Sequence, residues 1–278
     1  MTNAPPSDNS SALEKLLEVM ERLREPDTGC PWDIKQTPET IAPYTIEEAY
    51  EVADAIASGD TDQLKDELGD LLFQVVFYAQ MYKEQGYFSF DDVANTITNK
   101  MLQRHPHVFG SAKKRSAQSQ TVAWEDQKAQ ERKTRAQKSG TSSNALEGVA
   151  RALPALMRAQ KLQKRAAREG FDWSELSPVI AKIREELSEV EAEIEVRGSH
   201  QRLKDEIGDL IFASVNLSRH VGVDAEDALR EANTKFERRF RHVENALNSE
   251  GKSLKDASLD EMEFHWSDAK SKEQMGNL

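Results

Sequence analysis

With a single cysteine, Cys30, among 278 residues, the chain can form no internal disulfide, which suits a reducing compartment. No apolar run approaches the ~20 residues a bilayer span requires. The N-terminal stretch MTNAPPSDNSS has neither the basic nor the apolar region of a secretory signal. These absences point to a cytoplasmic protein with no membrane partner. A sustained period-two alternation is also missing, so almost no sheet is expected. Phosphate-cradling GxxxxGKS/T, dinucleotide GxGxxG and nucleophile-elbow GxSxG motifs are absent. None of the six histidines falls three residues after a glutamate, which argues against a di-iron carboxylate centre. Acidic residues outnumber basic ones, 49 to 37. A formal charge of -12 opposes general affinity for nucleic acid or anionic membrane, so an anionic ligand must meet local cations or a metal.

What is present is helical periodicity. Residues 1–11 read as a disordered leader and 12–110 as a first helical unit. Residues 111–145 read as a basic linker with one possible helix at TVAWEDQKAQERK, and 146–278 as a second helical unit. In the first unit, helices are expected over about 12–25, 43–57, 62–84 and 89–105, with GCPWD interrupting after the first. In the second they are expected over about 153–168, 178–196, 201–220 and 225–249, followed by a short closing helix. The fold class is all-α, two tandem four-helix units.

An acidic motif occurs once in each unit. EEAYE and ELGD span Glu47 to Asp70, and EELSE and EIGD span Glu185 to Asp209; the internal gaps are 15 and 16 residues. Acids three and four apart share one side of a helix. In an antiparallel hairpin, residues equally far from the turn lie level, because both helices rise about 1.5 Å per residue. With the turn at Gly198, Glu189 faces Glu206 and Glu186 faces Asp209; with the turn at Gly59, Glu51 faces Glu67 and Glu48 faces Asp70. Converging carboxylates repel unless a cation joins them, and oxygen-only donors suit a hard divalent ion such as Mg²⁺, with Mn²⁺ as a substitute. A lone acidic stripe is ordinarily a solvated face. Here each motif runs directly into an apolar stretch, LLFQVVFYA or LIFASVNL. Gly69 and Gly208, costly inside helices, suggest a close backbone approach.

Cations lie nearby in sequence. Lys235 and Arg239 are four apart, as are Lys100 and Arg104, and such pairs suit a polyphosphate. Lys182 lies one turn before Glu185, where the first copy has Tyr44; this asymmetry favours the second unit as the active one. Trp32 and Trp173, which precede the acidic helices, have two readings, core anchoring first and base stacking second. Trp266 has two readings, cover for a base or anchor of the closing helix.

The segments CPWDIKQT, TIEEAYEV, DELGDLLFQVVFYAQ and RHPHVFG, with GFDW, EELSEVEAEI, EIGDLIFASVNLSRH and NTKFERRF, resemble a two-copy MazG nucleoside triphosphate pyrophosphohydrolase. The resemblance covers about residues 12 to 268. It implies an all-α homodimer that cleaves nucleoside triphosphates to monophosphate and pyrophosphate with Mg²⁺. By motif, the metal ligands are Glu185, Glu186, Glu189, Glu206 and Asp209. Glu186 is the first choice of proton acceptor, with Glu189 beside it, and Lys182, Lys235, Arg239 and Trp266 are the nucleotide contacts. The first unit keeps every matching acid, Glu47, Glu48, Glu51, Glu67 and Asp70, so it is a possible second site. Two rival readings are a non-catalytic nucleotide sensor or helical interaction module, and a dUTPase-like hydrolase.

Overall fold

A computed structural model of the chain describes residues 10–111, 116, 127, 129–131, 134 and 144–275. Most of the expected leader and of the expected linker helix lies outside the described residues. The chain divides into two compact units, residues 1–128 and 129–278. Every element among the described residues is a helix, and none is long and apolar enough to cross a membrane.

The first unit contains α1 (Ala12–Leu23), α2 (Pro31–Lys35), α3 (Pro38–Ser58), α4 (Thr61–Glu84), α5 (Phe90–Arg104) and α6 (Pro106–Phe109). Its helices start where side chains can satisfy the free N–H groups of a first turn. Ser11 with Glu14, and Ser89 with Asp92, form capping boxes, and Asp60 accepts from the amides of Asp62 and Gln63. Pro43 does not open α3 as the sequence suggests. Thr37 caps a helix that begins at Pro38, whose fixed φ suits the first helical position, and Pro43 sits inside it. Gly59 ends α3 with φ +75°, and α4 turns back along it. Met20, Ile41, Val76, Phe77 and Met81 form the buried core between α1, α3 and α4. Burying a side chain of this size contributes about 1.5–3 kcal/mol.

The second unit contains α7 (Ala155–Arg168), α8 (Leu176–Glu195), α9 (His200–His220), α10 (Ala225–Ser249) and α11 (Leu259–Gln274). Here α8 and α9 make the antiparallel hairpin, α7 packs on α9, and α11 packs on α10. The left-handed residue of the α8–α9 turn is Arg197, φ 49°, rather than the adjacent Gly198. Salt bridges from Arg238 and Arg239 to Glu273 and a hydrogen bond between His242 Nε2 and Asp268 fasten α11 to α10.

The helical glycines have a different setting from the one expected. A Cβ built at Gly69 or Gly208 meets nothing within 4 Å. Both lie beside exposed leucine or isoleucine on the outer side of their hairpins, so no backbone of the same chain crowds them.

Candidate active site

In the second unit, α8 supplies Glu186 and α9 supplies Glu206 and Asp209, and one oxygen of each lies within 4.8 Å of the others. The level-matching of an antiparallel hairpin produces this meeting. Glu186 is only 6% exposed. The ammonium of Lys182 sits 2.8 Å from Glu186 and 2.8 Å from Glu185, which raises the lysine's pKa. Glu185 is thereby turned toward Lys182, outside the three-carboxylate group. Glu189 is exposed and borders the group: a hydrogen bond with Glu186, then desolvation and the charges of Glu186 and Glu206, push its carboxyl above the usual range, while Lys182 works in the opposite direction. Of the five expected acids, Glu185 and Glu186 pair with the Lys182 ammonium, and its charge also reaches Glu189. Oxygen donors in negative excess fit a hard divalent cation, for which Glu186, Glu206 and Asp209 are placed to be the ligands.

Beside these acids lies a cavity of about 670 Å³, within the range typical of small-molecule sites. Lys182, Glu186 and Asp209 bring the carboxylate group into its wall, Asp172 and Arg219 are its other charged residues, and Phe171, Trp173 and Phe212 contribute aromatic wall. Trp173, 43% exposed, is wall rather than core anchor, and Trp32 in the first unit is likewise 51% exposed. Motif reading missed this hollow and its polar lining residues Gln163 and Asn216. The loop carrying Phe171 and Trp173 is fixed through Asp172, whose carboxylate accepts from the Arg219 guanidinium at 2.9 Å and bonds His220 Nε2 at 3.0 Å. Arg219 foremost, with His220, holds the Asp172 carboxyl below its ordinary pKa against the effect of burial.

Among the described residues, Lys235, Arg239 and Trp266 are not part of the cavity wall. They lie on α10 and α11. Arg239 is bound to Glu273 at 2.7 Å and lies 5.7 Å from the Trp266 ring, which also packs on Phe236.

The first unit repeats the carboxylate group and carries different side chains at the positions matching the cavity wall. Glu48, Glu67 and Asp70 each place one oxygen within 4.8 Å of the others. Burial, then the charges of Asp70 and Glu51, raise the Glu48 pKa. Glu47 and Glu51 lie outside that group of three, and both are exposed. Lys100 and Arg104 lie on α5, which meets α4. Matching Asp70 to Asp209 sets Gln74 level with Ala213 and Phe77 with Asn216, and matching Glu47 to Glu185 sets Ile41 level with Val179 and Tyr44 with Lys182. Ile41 and its counterpart Val179 are equally buried at 1% exposure, so the contrast rests on Phe77, a core side chain also 1% exposed, standing where the second unit has Asn216 in the cavity wall. Tyr44, in the lysine's place, packs edge-on against Trp32.

The MazG nucleotide pyrophosphohydrolase domain model matches residues 36–109 and 175–244, one copy in each unit. The chain is 51% identical to the nucleoside triphosphate pyrophosphohydrolase of Escherichia coli (strain K12), over 94% of this chain and 98% of that protein. It is 42% identical to the nucleoside triphosphate pyrophosphohydrolase/pyrophosphatase MazG of Thermotoga maritima, over 93% and 95% of the two chains. A third relative, the nucleoside triphosphate pyrophosphohydrolase of Mycolicibacterium smegmatis, is 32% identical over 81% of this chain and 67% of its own. Two domain matches at the two carboxylate hairpins, and relatives matched almost end to end, establish that this chain belongs to the MazG nucleotide pyrophosphohydrolase family.

Proposed function

We propose that the chain is a nucleoside triphosphate pyrophosphohydrolase whose second unit, residues 146–278, converts nucleoside triphosphate and water to nucleoside monophosphate and diphosphate. The observation that carries this reading is the continuity of the Glu186, Glu206 and Asp209 group with the 670 Å³ cavity, two of the three acids being part of its wall. A polyphosphate belongs beside Lys182, Glu186 and Asp209, and the nucleoside in the remainder of the cavity, against Phe171, Trp173 and Phe212. Mg²⁺, or Mn²⁺ in its place, is the cation we assign to the carboxylates, and when bound it supplies charge neutralisation and a more acidic coordinated water. Lys182 is placed to meet phosphate oxygens beside the carboxylates. Glu189 is our proton acceptor in preference to Glu186: it is exposed and outside the three-oxygen group, whereas Glu186 is buried and tied to Lys182. A positioned carboxylate taking the proton of the attacking water contributes on the order of 10²–10⁴-fold.

A homodimer is supported by apolar side chains left on the outer surface of the α8–α9 hairpin. Leu187, Ile194, Ile207 and Ile211 are 42–60% exposed, and a second copy covering them would remove that area from water. We assign residues 12–110 to a first unit without a nucleotide cavity, 111–145 to a linker, and the activity to a cytoplasmic pool of free nucleotides. Lys235, Arg239 and Trp266 stay candidates for nucleotide contact from α10 and α11.

The test is diphosphate release from ATP, GTP and dUTP with Mg²⁺, for wild type and Glu189→Gln. Release by wild type and a fall of about 10²-fold or more in the variant are expected. Binding without turnover would identify a sensor instead, a rate confined to dUTP would identify a dUTPase-like enzyme, and undiminished release by the variant would remove Glu189 from the site.

A further inference from the structure

Gln163 lies on α7 and is 8% exposed, yet only half of its carboxamide is paired. Its Nε2 donates to the backbone carbonyl of Phe212 at 2.8 Å, and its Oε1 is a buried acceptor with no hydrogen-bond partner. Rotating the amide by half a turn would not relieve this, because Oε1 would then face the Phe212 carbonyl, acceptor against acceptor. The orientation is therefore set by the backbone of α9, and the side chain is wall of the 670 Å³ cavity. A buried acceptor without a donor costs about as much as a lost hydrogen bond, and such groups are rare in folded proteins. Gln160, one turn earlier and as deeply buried, has its Nε2 on the Val223 carbonyl at 3.4 Å, while Gln74 of the first unit shares the orphaned Oε1.

A second polar group of the wall is oriented just as firmly. The Oδ1 of Asn216 accepts from Arg219 Nε at 3.0 Å and from its terminal nitrogen at 2.8 Å. Arg219 is itself held by Asp172. Since Oδ1 is committed to the guanidinium, the Asn216 amide nitrogen is the group left to donate. Two lining residues thus carry one acceptor of fixed orientation, itself shielded from solvent, and one donor of fixed orientation.

Resting on the nucleotide reading above, we propose that Gln163 is a base-recognition residue, its Oε1 accepting a hydrogen bond from an N–H on the pairing edge of the bound base. Each common base carries at least one N–H donor next to an acceptor on that edge, so the same Gln163 and Asn216 pair accommodates all of them. What it rejects is a base whose donor is absent or blocked, because the acceptor then stays buried and empty.

Two substrate pairs test this: ATP against purine riboside triphosphate, which lacks only the amino group, and UTP against N3-methyl-UTP, whose N–H is blocked. In wild type, kcat/KM is expected to fall on the order of tenfold or more for the altered member of at least one pair, mainly through KM. In Gln163→Met, which keeps the volume without the acceptor, the two members of each pair should come within about twofold. Equal rates on altered and parent bases in wild type would overturn the proposal with no variant needed. Discrimination that persists in Gln163→Met would overturn it as well. No release from any parent nucleotide would instead count against the hydrolase reading.

Discussion

Replacing Lys182 with Met should make the stability of the second unit depend on divalent metal. The ammonium now touches Glu185 and Glu186 at 2.8 Å each. Losing one partner of a buried ion pair costs about 3–5 kcal/mol because the other charge is stranded. Here only Glu186 is well shielded, its side chain 7% exposed, whereas those of Lys182 and Glu185 are 35% and 57% exposed. Discounted for solvent, the loss is roughly 1–2 kcal/mol, or about 2–8 °C in Tm for a unit of this size. Added Mg²⁺ would supply the missing positive charge, so most of the deficit should vanish at saturating metal. The pH sign also follows. A lysine pKa raised in the folded state means its contribution is complete below the unfolded value, about 10.4, and fades as pH climbs through the folded one. The gap between wild type and variant should accordingly be flat across neutral pH. Thermal unfolding in chelator and in Mg²⁺ decides the matter. A variant as stable as wild type in chelator, or one whose deficit Mg²⁺ leaves unchanged, would refute the claim that Lys182 stands in for a cation.

Two further outcomes are expected. Asn216→Phe imports the first unit's Phe77 into the cavity and should raise KM for every nucleotide on the order of tenfold or more without lowering the urea midpoint of unfolding; an unchanged KM would mean the hollow is not the nucleoside site. Glu261→Gln should reduce stability at neutral pH but not near the acid limit. Lys252 first, then the Ser258 amide and hydroxyl, hold the Glu261 carboxyl down to about 2. A folded pKa below the unfolded one contributes above the ordinary carboxylate range and loses that contribution as pH falls toward about 2. Equal differences in Tm at both ends of the pH range would contradict it.

The all-α class, the paired hairpins and the facing acids were legible in the sequence, because each depends on spacing along a helix and on distance from a turn. Which acids converge was less so. Glu185 is drawn aside by Lys182, and side-chain choices of that kind do not follow from periodicity. Gly69 and Gly208 misled because a glycine's motive lies in what surrounds it, and among the described residues nothing comes within 4 Å of a Cβ built there. The cavity was harder still, since a void is defined by what a wall lacks. One signal was available: where the first copy has Gln74 and Phe77, the second has Ala213 and Asn216, a smaller and a more polar residue in the same frame. Gln163 carried no motif at all, and its meaning comes from one unpaired atom.

The filled core of the first unit and the open wall of the second have a thermodynamic corollary. A side chain bordering empty space forgoes the dispersion contacts that its counterpart in a solid interior keeps. On the reading proposed above, the second unit is in this respect the less cohesive one, and a nucleotide bound there would supply what the first unit obtains from Phe77. Resistance of that half to heat or protease should then rise and fall with its own substrate, while the duplicate stays indifferent to it.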